Sequence, residues 1–229
     1  MFIKDQFQRP LRDLRISVID RCNFRCPYCM PEEQFHQAYK FLEKQEWLSF
    51  DEILRVVQAF VTLGVQKVRL TGGEPLLRPN IDLLIEQLSK IQGIKDLALT
   101  TNGSLLEGMA LKLKQAGLKR LTVSLDSLDP QVFKALSGSK GDVIQVLNGI
   151  EAAKNAGFES IKINAVIQRD VNDHTYLDLV RFARQKGHTL RFIEYMDVGN
   201  QNHWNAKHVV PSSEIIANIH KIYPMESIG

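Results

Sequence analysis

The sequence predicts an α/β fold, a partial (βα)6 barrel of the TIM type with parallel strands and the helices outside. Three observations predict it. Short apolar runs alternate six times with longer amphipathic stretches. Glycines close several of those stretches, at Gly64, Gly93, Gly117, Gly157 and Gly187. The apolar runs also carry polar or cationic residues along one side. A parallel sheet buried on both faces should be apolar on both. The polar side should therefore line a cavity, and an open barrel provides one.

The elements follow in order. Leu14–Ile19 reads as the first strand. Asp51–Leu63 reads as a helix, with Ser49 or Asp51 able to cap it. Lys67–Thr71 is the second strand and runs into Gly72-Gly73-Glu74-Pro75. Asn80–Ile91 is helical, Leu97–Thr101 is a strand ending at Asn102-Gly103, and Glu107–Ala116 is a helix. Arg120–Leu125 is the fourth strand, followed by helices over Pro130–Leu136 and Val143–Ala156. Ser160–Val166, a helix over Tyr176–Lys186, the strand Leu190–Tyr195 and a last helix over Ser212–Ile222 complete the set. Right-handed crossovers between consecutive strands suit this rhythm.

Alternation along each strand places the polar residues. Arg15 and Ser17 share one side of the first strand. Lys67, Arg69 and Thr71 oppose Val68 and Leu70 in the second. Thr100 lies with Ala98 and Asn102 in the third, Thr122, Ser124 and Asp126 lie together in the fourth, and Lys162 and Asn164 lie together in the fifth. The sixth strand cannot be oriented this way, because Arg191 and Glu194 fall on opposite sides.

Composition bounds the function. A net charge of +3 over 229 residues gives no general case for nucleic acid, so any anion site must be local. Met1 to Leu14 has no apolar leader core, and no apolar run reaches membrane-spanning length. The expectation is a cytoplasmic protein with no membrane and no nucleic-acid partner.

The chain has three cysteines, Cys22, Cys26 and Cys29, spaced C-x3-C-x2-C directly after the first strand. An odd, clustered set is a poor disulfide framework and suits a metal centre in a reducing compartment. Three thiolates on a four-iron cluster leave one iron open to a small molecule. The competing reading is a Cys3His zinc site with His36 as fourth ligand. Gly72-Gly73-Glu74-Pro75 follows the second strand. Its glycines would let a ligand approach the backbone, and Glu74 could accept from a cationic group. Arginines and lysines on an inward strand side are costly unless an anion meets them. An anionic ligand with forked acceptors would do so. Pairing with internal acids such as Asp126 or Glu74 is the alternative.

With the cysteine loop, Tyr28 and the GGEP segment, the chain resembles the radical S-adenosylmethionine (SAM) superfamily. Further segments narrow the resemblance: Leu14-Arg15-Ile16-Ser17-Val18, Asp20-Arg21-Cys22-Asn23, Val68-Arg69-Leu70-Thr71, Thr100-Thr101-Asn102-Gly103, Ser124-Leu125-Asp126-Ser127-Leu128 and Arg191-Phe192-Ile193-Glu194-Tyr195-Met196. These are similar to the GTP 3′,8-cyclase family of molybdenum cofactor biosynthesis. The resemblance implies a [4Fe-4S] cluster on Cys22, Cys26 and Cys29, and SAM contacts from Tyr28, Gly73, Ser124 and Met196. It implies GTP contacts from Arg15, Arg69, Thr100 and Lys162; the side that Lys67 shares with Arg69 makes it a weaker addition. It also implies an electron donor of unknown identity and a homodimer.

The family's C-terminal segment, with a second three-cysteine cluster that holds the guanine base and a Gly-Gly tail, has no counterpart in these 229 residues. The expectation is a single core domain, 1–229, in which base anchoring is lost and turnover of GTP impaired. Two other readings stay open: a different radical SAM enzyme, such as a peptide-modifying one, and a non-catalytic protein that binds SAM or a cluster.

Overall fold

The computed structural model describes residues 3–198 and 204–228. The N-terminal reading above also takes in Met1 and Phe2, which lie outside the described residues. Six parallel strands form one sheet in the order β1-β2-β3-β4-β5-β6. They are β1 (Asp13–Ser17), β2 (Lys67–Thr71), β3 (Asp96–Thr101), β4 (Arg120–Ser124), β5 (Lys162–Ile167) and β6 (Thr189–Glu194). The helices between and after them are α1 (Phe50–Thr62), α2 (Ile81–Ser89), α3 (Ala110–Gln115), α4 (Pro130–Leu136), α5 (Val143–Asn155), α6 (Tyr176–Lys186) and α7 (Ser212–His220).

The chain divides into two compact units. The first comprises Met1–Asn23, Lys40–Val123 and Gln145–Ile161. In it β1, β2, β3 and β4 pair in parallel, with Arg15 beside Arg69, Arg69 beside Ala98, and Thr100 beside Thr122. Alternation separates the sides as expected. Val68 and Leu70 are fully buried under the helices, whereas Lys67, Arg69 and Thr71 are half-buried. α1 starts with a capping box: the Ser49 side chain accepts from Glu52 N–H, and Glu52 Oε2 accepts from Ser49 N–H at 2.7 Å.

The second unit comprises Phe24–Tyr39, Ser124–Ile144 and Lys162–Gly229. β5 and β6 pair in parallel, Lys162 beside Thr189 and Asn164 beside Arg191. That register orients the sixth strand. Arg191 shares the side of Lys162 and Asn164. On the other side Phe192 meets the ring of Tyr176 from α6 edge-on, with centroids 5.7 Å apart.

Most element boundaries fall within two residues of expectation, and three departures have physical causes. β1 stops at Ser17, yet Val18 and Ile19 remain buried, and Val18 N–H still donates to Thr71 O at 2.9 Å. The ladder is being handed on to Gly72 and Gly73. α3 begins at Ala110 rather than Glu107, because Gly108 sits in a turn and glycine opposes helix propagation. Asn80 adopts a left-handed conformation (φ 58°) before α2 and does not cap it with its side chain. Short 3-10 turns at Lys44–Glu46, Pro75–Leu77 and Ala206–His208 lack a periodicity that would announce them.

Candidate functional site

Loops at the C-terminal ends of the strands carry the candidate residues. The loop after β2 comes first, within the first unit. Gly73 N–H donates to Ile19 O, and Glu74 N–H donates to Arg21 O, each at 2.8 Å. A methyl group added at Gly72 would strike the Ile19 carbonyl, and one at Gly73 would strike the Arg21 carbonyl. What approaches these glycines in the structure is the chain's own backbone just before Cys22. Backbone carbonyls thus fill the room on the side-chain side of both glycines.

Glu74 also departs from its expected role. It is 1% exposed, and its carboxylate accepts from Thr101 Oγ1 (2.7 Å), Asn102 N–H (2.7 Å) and Leu76 N–H (3.0 Å). These are neutral donors where a cation was expected. Burial pushes its pKa up, while the three hydrogen bonds pull it down. Glu74 thus straps the loop after β2 to the loop after β3.

Asn102 continues the network. Its side-chain N–H donates to Asn23 Oδ1 at 2.8 Å and reaches Cys22 Sγ at 3.9 Å. Its Oδ1 accepts from Ser104 N–H (3.0 Å) and Ser104 Oγ (2.8 Å).

The rest of the cysteine loop lies in the second unit. Cys29 N–H and Met30 N–H both donate to Cys26 O, at 3.0 and 2.8 Å, so one tight turn brings Cys26 and Cys29 together. Arg25 N–H donates to Ser137 O at 3.0 Å, and Gly138 packs against the Arg25 carbonyl. Tyr28 Oη donates to Asp126 Oδ2 at 2.6 Å, and Val166 N–H donates to Asp126 Oδ1 at 2.8 Å. Burial raises the Asp126 pKa from 3.8 to about 6 against those two hydrogen bonds. Burial, the charge of Asp126 and the neighbouring thiols push Tyr28 far up. Cys29 is exposed as a residue, yet its sulfur is packed closely enough for desolvation, and then Asp126, to raise its pKa. Behind Asp126, the buried Asn172 donates to Asp126 O (2.8 Å) and Val166 O (2.9 Å).

The expected anion contacts divide as follows. In the first unit, Arg15 and Arg69 are register partners, so two arginines leave neighbouring strands from facing positions. Thr100 lies on the adjoining strand, its Oγ1 buried without a hydrogen-bond partner among the described residues. Lys67 is already engaged with Asp13 at 2.7 Å, and Arg120 with Asp96. Acid pairing therefore does occur, through edge acids that the sequence reading did not consider. In the second unit, Lys162 opens β5 on the side of Asn164, and Ser124 ends β4 half-buried. Met196, just past β6, is 55% exposed.

His36, the fourth ligand of the zinc reading, is exposed, and its Nδ1 accepts from Ala38 N–H at 3.2 Å. Among the described residues no three His, Cys, Asp or Glu side chains converge on one metal-ion position. Sequence reasoning missed the work of Asn23, Asn102 and Asn172. Asn102 carried a signal in its place directly after a strand, and Asn23 in its place beside Cys22; Asn172 carried none.

A family model described as the Radical SAM superfamily matches residues 16–183. The chain belongs to that superfamily. Its relatives in sequence include the GTP 3′,8-cyclase of Xanthomonas campestris pv. campestris (strain B100), 53% identical over 223 residues, which are 97% of this chain and 66% of that protein. The GTP 3′,8-cyclase of Acidothermus cellulolyticus is 54% identical over 226 residues, 99% of this chain and 62% of that protein. The chain thus spans about two thirds of the length of these relatives. Among solved structures, anSMEcpe with bound AdoMet superposes with a TM-score of 0.72 at 19% identity, covering 93% of this chain and 58% of the other. That likeness shows the fold and agrees with the partial-barrel expectation.

Superfamily membership brings SAM and an iron–sulfur cluster as cofactors. The chemistry of the donor set, three free thiols, suits a cluster. All three cysteines are thiols, two are joined by a tight turn, and the third has an amide N–H directed at its sulfur.

Proposed function

We propose that residues 1–229 are the radical SAM core of a GTP 3′,8-cyclase. The whole enzyme converts GTP to (8S)-3′,8-cyclo-7,8-dihydroguanosine 5′-triphosphate, the first step of molybdopterin biosynthesis. Cys22, Cys26 and Cys29 hold the [4Fe-4S] cluster. Tyr28, Gly73, Ser124 and Met196 contact SAM. Arg15, Arg69, Thr100 and Lys162 contact GTP. The cluster, when bound, supplies the electron that cleaves SAM. An electron donor, a homodimer and a cytoplasmic location belong to the same proposal. Among the described residues, no helix is long and apolar enough to cross a membrane.

The observation that carries the substrate is the register of Arg15 and Arg69. Two cationic side chains from facing strand positions can share one multiply charged anion. A triphosphate offers several charges and forked acceptors to two guanidiniums. The identity to relatives named GTP 3′,8-cyclase supports the same reading.

Equilibrium dialysis against GTP tests it. Arg15→Ala and Arg69→Ala are each expected to weaken binding at least about tenfold, the worth of one charge-assisted hydrogen-bonded contact. Lys67→Ala should change it less than about threefold, because Lys67 already serves Asp13. An intact chain that does not bind GTP at all would overturn the proposal in favour of a peptide-modifying enzyme.

A further inference from the structure

The loop after β3 holds a side chain to which no role has yet been given. Asn102 is tied at three points. Its backbone N–H donates to Glu74 Oε2 at 2.7 Å, and its Oδ1 accepts from Ser104 N–H at 3.0 Å and Ser104 Oγ at 2.8 Å. Asn23 closes a ring by donating to Ser104 Oγ at 2.9 Å. These ties decide which way the amide faces. Reversed, it would set N–H against the Ser104 N–H and oxygen against both Asn23 Oδ1 and the Cys22 sulfur. As placed, one amide proton serves Asn23, and the other is available to Cys22 Sγ at 3.9 Å.

We propose that Asn102 is a positioning residue for the iron–sulfur cluster: its amide N–H donates to the Cys22 thiolate, fixing the first ligand of the loop and favouring the reduced cluster. The inference rests on the reading that Cys22 is a cluster ligand. One-electron reduction adds a negative charge that the coordinating sulfurs share. A donor aimed at one sulfur stabilises the electron-richer state more and raises the potential. The donor is neutral and already held by Glu74 and Ser104, so little must reorganise when the electron arrives. Glu74 thereby gains a purpose: its carboxylate holds the backbone of Asn102.

The test is an EPR-monitored titration with dithionite as reductant, on the anaerobically reconstituted chain. Iron content and melting temperature are measured in parallel. Asn102→Ala removes the donor and the loop contacts together. Asn102→Asp keeps an Oδ1 for Ser104 and the backbone N–H for Glu74, but removes both amide protons and sets a charge beside the sulfur. At a fixed potential, Asn102→Ala is expected to hold about threefold to tenfold less reduced cluster, and tenfold corresponds to 59 mV for one electron. Asn102→Asp should fall further still. A role confined to holding the loop predicts the reverse order, with Asn102→Asp at the wild-type potential, and that result overturns the proposal. So do changes below about twofold in both variants. If Asn102→Ala loses its iron, Asn102→Asp decides alone: wild-type potential overturns the proposal, and a lowered potential or lost iron supports it. A wild-type chain that takes up no iron would overturn the cluster reading and this inference together.

Discussion

The two ends of the cysteine loop are held by opposite kinds of chemistry. Cys22 is approached by a neutral amide in a ring of Asn23, Asn102 and Ser104, whose hydrogen bonds run from 2.8 to 3.0 Å. Cys29 sits beside a buried acid: Asp126 accepts from Tyr28 at 2.6 Å, and burial together with that acid raises the Cys29 pKa. One end welcomes negative charge on sulfur and the other resists it. Sequence spacing makes the three cysteines look equivalent, and their surroundings do not.

The strongest way to break the comparison is steric. Gly73 is pressed against the Arg21 carbonyl at the Cys22 end, and Gly138, with φ 69°, against the Arg25 carbonyl at the Cys26 end. Overpacking costs about 1–3 kcal/mol, and a left-handed conformation adds about 1–2 kcal/mol for a residue with a Cβ. Gly138→Ala is therefore expected to cost about 2–5 kcal/mol, and Gly73→Ala somewhat less. Denaturant titration gives the energies, and iron retained after reconstitution gives the consequence, expected to fall below about half in both. A Gly138→Ala chain as stable as wild type would mean that this backbone contact does not hold the loop.

A second change sharpens the contrast through pH. The Asp126 carboxyl has a folded-state pKa of about 6 against 3.8 unfolded. The folded chain thus holds the proton more tightly. The stability this contributes is complete below about pH 4 and is lost as pH rises through about 6. The shift corresponds to about 3 kcal/mol, at about 1.4 kcal/mol per pH unit. Asp126→Asn keeps an acceptor for Val166 N–H and has no charge to bury. The difference in unfolding free energy between variant and wild type should therefore grow by about 3 kcal/mol from pH 4 to pH 7, measured without cluster. Parallel curves across that range would show that Asp126 is solvated or otherwise compensated.

Much of this was legible in the sequence. Alternation in Lys67–Thr71 predicted which residues are covered, because a strand's period of two is a rigid constraint. The cysteine loop and its place after β1 were legible because metal ligands need fixed spacing. The purpose of the two glycines was not. A close approach leaves the same trace in sequence whether the neighbour is a ligand or the strand next door. The sequence offered Glu74, and in the alternative reading also Asp126, as partners for cations, since a buried acid usually needs one. Backbone N–H groups, a threonine hydroxyl and a phenol serve instead, and donors of that kind leave no charge pattern to find. Strand six had no apolar alternation to orient it, and only the pairing of Asn164 with Arg191 did so.

The central claim is that three thiols in this loop hold a four-iron cluster. Iron and sulfide per chain after anaerobic reconstitution test it most directly, on the wild type and on Cys22→Ala, Cys26→Ala and Cys29→Ala. The account predicts about four irons per wild-type chain, as a [4Fe-4S] centre requires, and loss of most of them in each variant. One tightly held zinc with no iron would contradict it.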